Sequence, residues 1–171
     1  SASSSDESLV TVSTTSTGPS SADITFDVQT DQNGSADITV EVSDGNGGTD
    51  SETFTLTVNA VNDLVTLASS ISDYSVDEDA GVSIVADLDD VFDDIDLTNG
   101  DPSALQTLSY SVVGNTNPDL ASASIDASGV LTVSYTTDDN GSADITVRAD
   151  DGSGSTLDDS FTVTVNAVND P

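Results

Sequence analysis

Hydrophobic and polar residues alternate with a period of two along most of this chain. In ADITVEV, Ile38, Val40 and Val42 fall on one face and Asp37, Thr39 and Glu41 on the other. TFTLTV repeats the pattern, with Phe54, Leu56 and Val58 set against Thr53, Thr55 and Thr57. Later in the chain the inward sets are Ile145, Val147, Ala149 and Phe161, Val163, Val165. Successive side chains leave a strand on opposite sides, so this period marks strands with one buried and one wet face. Strands are predicted over 9–14, 22–28, 36–43 and 53–58, and again over 82–86, 108–113 and 130–135. Turn signals separate them: DGNGG at 44–48, TNGDP at 98–102, NTNP at 115–118, DASG at 126–129 and DDGSGS at 150–155. Nothing in the sequence insists on a helix.

The pattern repeats. NGSADITV occurs at Asn33–Val40 and Asn140–Val147, and TVNAVND at Thr57–Asp63 and Thr164–Asp170, each at an offset of 107 residues. Across 33–63 and 140–170, 21 of 31 positions are identical, so the repeat is the structural unit. Short strands separated by turns over about 100 residues read as a β-sandwich. The expectation is therefore all-β, with tandem β-sandwich domains. Residues 64–171 form a full repeat. Residues 1–63 carry about four strands and form an incomplete or split one.

Charge changes the picture. The formal net charge is −31, with Arg148 the single basic residue. Of 32 acidic residues only Glu7, Glu41, Glu52 and Glu78 are glutamate. Aspartate favours turns, caps and hard-cation ligation over helices. So acidic a chain repels nucleic acid and anionic membranes, which need Lys and Arg against phosphate. Neither Cys nor His is present, which removes disulfides and the ordinary zinc, haem, iron–sulfur and copper sites. Oxygen-ligated calcium or magnesium remains, and bound divalent cations would relieve the self-repulsion. No apolar run approaches a membrane span, and SASSSDES is not a signal peptide, so the chain reads as an interior segment.

A strand ending VNAVND before a further domain resembles the inter-repeat linker of bacterial cadherin-like repeats, the tandem modules of large surface adhesins that are type I secreted and RTX-adhesin-like. The supporting residues are VDEDAG (76–81), DDVFDDID (89–96), LSYSV (108–112), NGSADITV, ADDG (149–152) and the terminal VNAVND. The resemblance implies tandem Greek-key β-sandwich domains of cadherin or immunoglobulin-like kind, stacked as a rod with Ca²⁺ at each domain junction. At the first junction it implies ligands from Asn62 and Asp63 of the linker and from Asp94, Asp96 and Asp151 of the second repeat. Asp31, in TDQNG, is a weaker candidate from the first repeat. At the far end it implies Glu78, Asp138, Asn169 and Asp170, and Asp44 faces a preceding junction. The animal cadherin linker reads Asp-x-Asn-Asp-Asn, whereas here Ala60 stands two before Asn62 and Leu64 follows Asp63. One carboxylate and one amide are missing, which implies fewer or weaker ions.

Each assignment has a plainer rival. Asp44 and Asp151 precede Gly and also read as turn residues, and Asp93, Asp94 and Asp96 also read as a charged loop. Asp37 and Asp144 read as strand-entry residues. Arg148 stands where the first copy has Glu41 and reads as a surface substitution. DLDDVFDDIDLT lacks the glycine and terminal glutamate of an EF-hand. GNGGTD is similar to a calcium nonapeptide, which works only in arrays, and reads as a hairpin loop. Paired carboxylates among 32 acids carry no catalytic information, and no enzyme is expected.

The expected function is that of an extender, projecting a distal binding domain from the surface of a Gram-negative bacterium. Its partners are neighbouring repeats, with a host surface or polysaccharide reached through other domains. Nucleic acid and direct membrane contact are not expected. The alternative is a sugar- or peptide-binding sandwich of such an adhesin or of a secreted polysaccharide-active enzyme. Against it stand the absence of Trp and the placing of Tyr110 and Tyr135 in strand patterns.

Overall fold

The alternating runs fold as antiparallel strands that pair across short turns. The computed structural model describes residues 1–97 and 106–169. The TNGDP turn and Asp170 lie outside the described residues. Two units are present, Ser1–Asn62 and Asp63–Leu97 with 106–169.

The first unit holds β1 (Ala2–Ser4), β2 (Val10–Gly18), β3 (Ser21–Val28), β4 (Gly34–Ser43) and β5 (Thr49–Val58). They form a β1-β4-β5 sheet and a β2-β3 ribbon. Leu9, Val10, Ala36 and Ile38 are buried, with Val12, Leu56 and Val58 packed against them.

The second unit holds β6 (Thr66–Leu67), β7 (Tyr74–Asp77), β8 (Val82–Asp87), β9 (Phe92–Asp93), a 3₁₀ turn (Ile95–Leu97), β10 (Ser109–Asn115), β11 (Ala121–Ile125), β12 (Val130–Tyr135), β13 (Gly141–Asp150) and β14 (Thr156–Asn166). Its sheets run β10-β13-β14-β7 and β11-β12-β8, with a small β6-β9 ladder. β7 lies parallel to β14, and the other pairs are antiparallel. The inward faces bury Leu131, Val133, Ile145, Val147, Phe161 and Val163 in one core. Phe161 stacks on Tyr74, with centroids 6.1 Å apart. The sandwich expected from the period of two is present.

The repeat extends into hydrogen bonds. Gln29 N–H donates to Leu9 C=O at 2.9 Å, and Thr136 N–H donates to Leu120 C=O at 3.0 Å. Asp37 N–H donates to Ser5 Oγ at 2.9 Å, and Asp144 N–H donates to Thr116 Oγ1 at 2.8 Å. Asp37 and Asp144 each accept from a threonine across the hairpin at 2.8 Å, Thr55 and Thr162, as strand residues. Gly34 and Gly141 open their strands at φ 134 and 144. A Cβ there would meet the buried Leu9 or Leu120 at 3.8 or 3.5 Å, so Leu packs on Gly in both copies.

β1 through β5 thus correspond to β10 through β14. Among the described residues the first unit has no counterpart of β7 on β5 or of β8 on β3. Burial follows. Phe161 is 2% exposed, whereas Phe54 at the same place is 41% exposed. Val42, expected to face inward, is 63% exposed, while Ala149 is 0%. The alternation correctly assigns the face, but the first unit has too little covering that face to bury it. Phe26 and Phe54 cover each other edge to face at 6.2 Å.

Arg148 lies at the surface, as expected, and has a partner there. It holds Asp158 through two bonds, Nε–Oδ1 at 2.6 Å and Nη2–Oδ2 at 2.8 Å, across the β13–β14 register. The guanidinium holds the Asp158 carboxyl below its ordinary range.

Burial raises the Tyr74 hydroxyl well above its ordinary value, helped by its 2.9 Å bond to Tyr135. Burial does the same for Tyr110, helped by a 2.7 Å bond to Asp89. The folded state therefore keeps these protons while unfolded tyrosine gives them up near pH 10. Their contribution to stability is full below about pH 10 and is lost as pH climbs toward the raised values. The unfolding midpoint of the second unit should be flat from about pH 7 to 9 and fall above about 10. Thermal melts of the Tyr74→Phe/Tyr110→Phe double variant should show a shallower alkaline fall, and an equally steep fall would assign the loss to other groups.

Candidate metal centre

Three segments distant in sequence meet where the second unit begins. Asp63 N–H donates to Asp96 Oδ2 at 2.8 Å, and Gln106 Nε2 donates to the same oxygen at 3.3 Å. Asp96 N–H donates to Asp94 Oδ1 at 3.0 Å, a local Asx bond that shapes the 3₁₀ turn. Two residues beyond Asp63, Val65 N–H donates to Ser155 Oγ at 3.0 Å. Ser155 closes the 151–155 hairpin, where Asp151 Oδ1 accepts from the N–H groups of Ser153, Gly154 and Ser155 at 2.7–2.9 Å. The incoming chain is thereby pinned to both the Asp-x-Asp turn and the Asp151 loop.

Burial separates these carboxylates from the other acids. Asp94 is 1% exposed, Asp96 3% and Asp151 5%, and Asp63 is half-buried. Asp94 Oδ2 is buried with no hydrogen-bond partner. A buried acceptor left unsatisfied costs roughly 1–3 kcal/mol, and more when it is charged. Lys is absent from the chain and Arg148 is committed to Asp158, so no basic side chain remains to neutralise it. This donor set is all oxygen, anionic and held on turns, the chemistry that suits a hard divalent cation. Among the described residues, no three acidic side chains stand close enough together to enclose an ion.

Other expected ligands fall into two groups. In the first unit, Asn62 is exposed, and Asp31 is exposed in left-handed backbone at φ 56. Asp44 closes the hairpin matching the Asp151 loop; the N–H groups of Asn46 and Gly48 hold its carboxyl below the ordinary range. Asp44 and Asp151 therefore both serve as turn residues. Near the other end of the second unit, Glu78 is 7% exposed, its Oε1 accepting from Val168 N–H at 2.6 Å and its own N–H donating to Asn166 C=O at 2.9 Å. That places it one residue from Asn169. Asp138, at φ 59, donates its N–H to Asp79 Oδ1 at 3.4 Å, beside Glu78. Asp170 lies outside the described residues.

Sequence reasoning missed Ser155 and Gln106, neutral side chains that tie the acidic segments to the incoming chain. It also missed Asp73 and Asp159, whose carboxylates take the N–H groups of Thr162 and Ile71 at 2.7 Å each. Only the paired register of the folded strands exposes those roles.

No sequence-family model matches the chain, and no curated protein matches it. Solved structures do. A structure of protocadherin gamma B2 extracellular cadherin domains 1–5 is 19% identical at TM-score 0.57 over 99% of this chain and 33% of that one. Mouse cadherin-23 EC22-24 is 20% identical at TM-score 0.57, over 98% of this chain and 52% of that one. A protocadherin gammaB7 EC3-6 structure is 18% identical at TM-score 0.56. The chain spans about a third to a half of these structures. At such identities the likeness is one of fold, and the fold is a cadherin-like β-sandwich.

Proposed function

We propose that this chain is a calcium-stiffened extender segment of a Gram-negative bacterial surface adhesin, holding a distal binding domain away from the cell. The observation that carries this reading is Asp94, a buried carboxylate with an unpartnered oxygen, beside buried Asp96 where the linker enters. Asp63, Asp94, Asp96 and Asp151 are the ligands assigned from the second unit, with Asn62 and Asp31 contributing from the first. Bound calcium supplies positive charge and coordination to oxygen there. The residues do the rest: Asp96 fixes the Asp63 backbone, Ser155 fixes Val65, and the turns give the carboxylates a rigid base. Occupancy requires the carboxylates to turn toward one another, since none among the described residues are gathered in threes. Glu78, Asp138, Asn169 and Asp170 are assigned to a second junction.

The aromatic side chains support a spacer over a sugar platform. Tyr74 stacks on Phe161, Phe92 on Tyr110, and Phe26 meets Phe54 edge to face. Tyr135 is tied to Tyr74, so no tyrosine is presented as a stacking surface, and the partly exposed Phe26 and Phe54 face each other. The reading assigns no catalysis. Small-angle X-ray scattering of the chain in calcium and in EDTA, at matched ionic strength, tests it. Calcium should lengthen the maximum dimension and narrow the ensemble, and Asp94→Asn should remove much of that response. Superimposable curves would contradict the extender reading, and a hit on a sugar or peptide array would favour the binding-module alternative.

A further inference from the structure

We propose that Asn33 and Asn140 are acceptor sites for N-linked glycosylation, each taking a sugar from a glycosyl diphosphate through an asparagine-directed transferase of the cell that makes the chain. This goes beyond the calcium reading and does not rest on it. Of the ten asparagines in the chain, only these two are followed two residues on by serine or threonine, as Asn33-Gly34-Ser35 and Asn140-Gly141-Ser142. Asn-x-Ser, with x other than proline, is the acceptor signature for such transfer and belongs on surface turns. Both copies stand at one place in the repeat, where a turn enters β4 or β13.

The fold accounts for every other residue of the repeated NGSADIT run. Gly34 and Gly141 lie at positive φ over Leu9 and Leu120. Ala36, Ala143, Ile38 and Ile145 are buried. Asp37 and Asp144 accept from Thr55 and Thr162. Thr39 and Thr146 bond across their hairpins to Thr53 and Ser160 at 2.9 and 2.8 Å. The asparagine and the serine are left over. Asparagine is usual in turns because it tolerates left-handed backbone or bonds the chain two residues on. Neither reason holds here. Outside glycine, positive φ is confined to Asp31, Asp79 and Asp138 among the described residues. Neither carboxamide and neither serine hydroxyl has a hydrogen bond among the described residues.

Access follows from exposure. Asn140, Ser142 and Ser35 are exposed, and Asn33 is half-buried. A sugar on Asn140 Nδ2 therefore extends into solvent and displaces no core residue. In the transfer, the carboxamide nitrogen bonds to the anomeric carbon of the sugar as the bond from that carbon to the diphosphate oxygen breaks. The diphosphate leaves with the electron pair, and the displaced amide proton goes to a base of the transferase. Asp31 and Asp138 stand two residues before each acceptor, exposed and in left-handed backbone at φ 56 and 59. They give a basic subsite of the transferase a charged handle.

Peptide mass spectrometry of the chain recovered from the cell that makes it tests the proposal. Asn140 should carry sugar, and Asn33 should carry it at equal or lower occupancy because it is half-buried. A single hexose would identify a nucleotide-linked donor, and a preassembled oligosaccharide a lipid-linked one. Expressed in the same cell, Ser142→Ala should lose the sugar at Asn140 while Asn33 keeps its own, and Ser142→Thr should retain both. Each change falls at an exposed position, so the melting midpoints of the unglycosylated variants should match that of the unglycosylated wild type. Bare asparagine at both positions, or aspartate formed there by loss of the amide, would overturn the proposal. So would sugar that persists at Asn140 in Ser142→Ala, or sugar found on serine and threonine hydroxyls alone.

Discussion

Phe161→Ala should destabilise the second unit by about 3–5 kcal/mol, while Phe54→Ala at the matching place in the first unit should cost about 1 kcal/mol. The two residues occupy the same position of the same repeated strand. Phe161 is sealed in the core against Tyr74, so truncation leaves a cavity that packed sheets on either side cannot fill. Phe54 already faces water over two-fifths of its surface, and its truncation removes mainly the edge contact with Phe26. At about 4–8 °C per kcal/mol for a domain of this size, Phe161→Ala should lower the second unit's midpoint by more than about 12 °C. Calorimetry resolving the two units checks this. Equal losses would mean that Phe54 is as buried in solution as Phe161.

Asp94→Asn should raise stability without calcium and shrink the gain that calcium brings. In EDTA the substitution removes a buried negative charge that no basic residue offsets, and the midpoint should rise by the equivalent of about 1–3 kcal/mol. In calcium the variant loses a ligand. Extracellular modules bind calcium at about 10⁻⁴–10⁻³ M, so a site at tenfold excess stabilises by roughly 1.4 kcal/mol. Wild type should therefore gain on adding calcium, and Asp94→Asn should gain less. Exposed Asp23→Asn, remote from the turn, serves as the charge control. A variant that gains as much as wild type would remove Asp94 from the ligand set.

The inward faces of β4, β5, β13 and β14 were legible in the sequence because the period of strand geometry is fixed at two. Ile145, Val147, Ala149, Phe161, Val163 and Val165 all point into the core as expected. Depth of burial was not legible. Phe54 alternates as Phe161 does, and its exposure depends on a neighbouring strand that local pattern does not encode. Strands rich in small or polar residues also escaped: β1 reads ASS and β11 reads ASASI, and both form only because longer neighbours offer ladder bonds. The 3₁₀ turn at Ile95–Leu97 rests on Asx bonds, which carry no apolar signal. The candidate site was half legible. Asp94 and Asp96 stand out by their spacing, but their burial depends on the return of Gln106 and the linker from elsewhere in the chain. Asp158, ten residues from Arg148, becomes its partner only once the hairpin register is known.

Thermal unfolding of the chain in EDTA, magnesium and calcium at constant ionic strength tests the central claim most directly. Calcium should raise the second unit's midpoint well beyond magnesium, which demands a tighter octahedral shell than turns and carbonyls readily offer. Matching midpoints in all three buffers would contradict the claim and leave the buried acids as turn-forming residues alone.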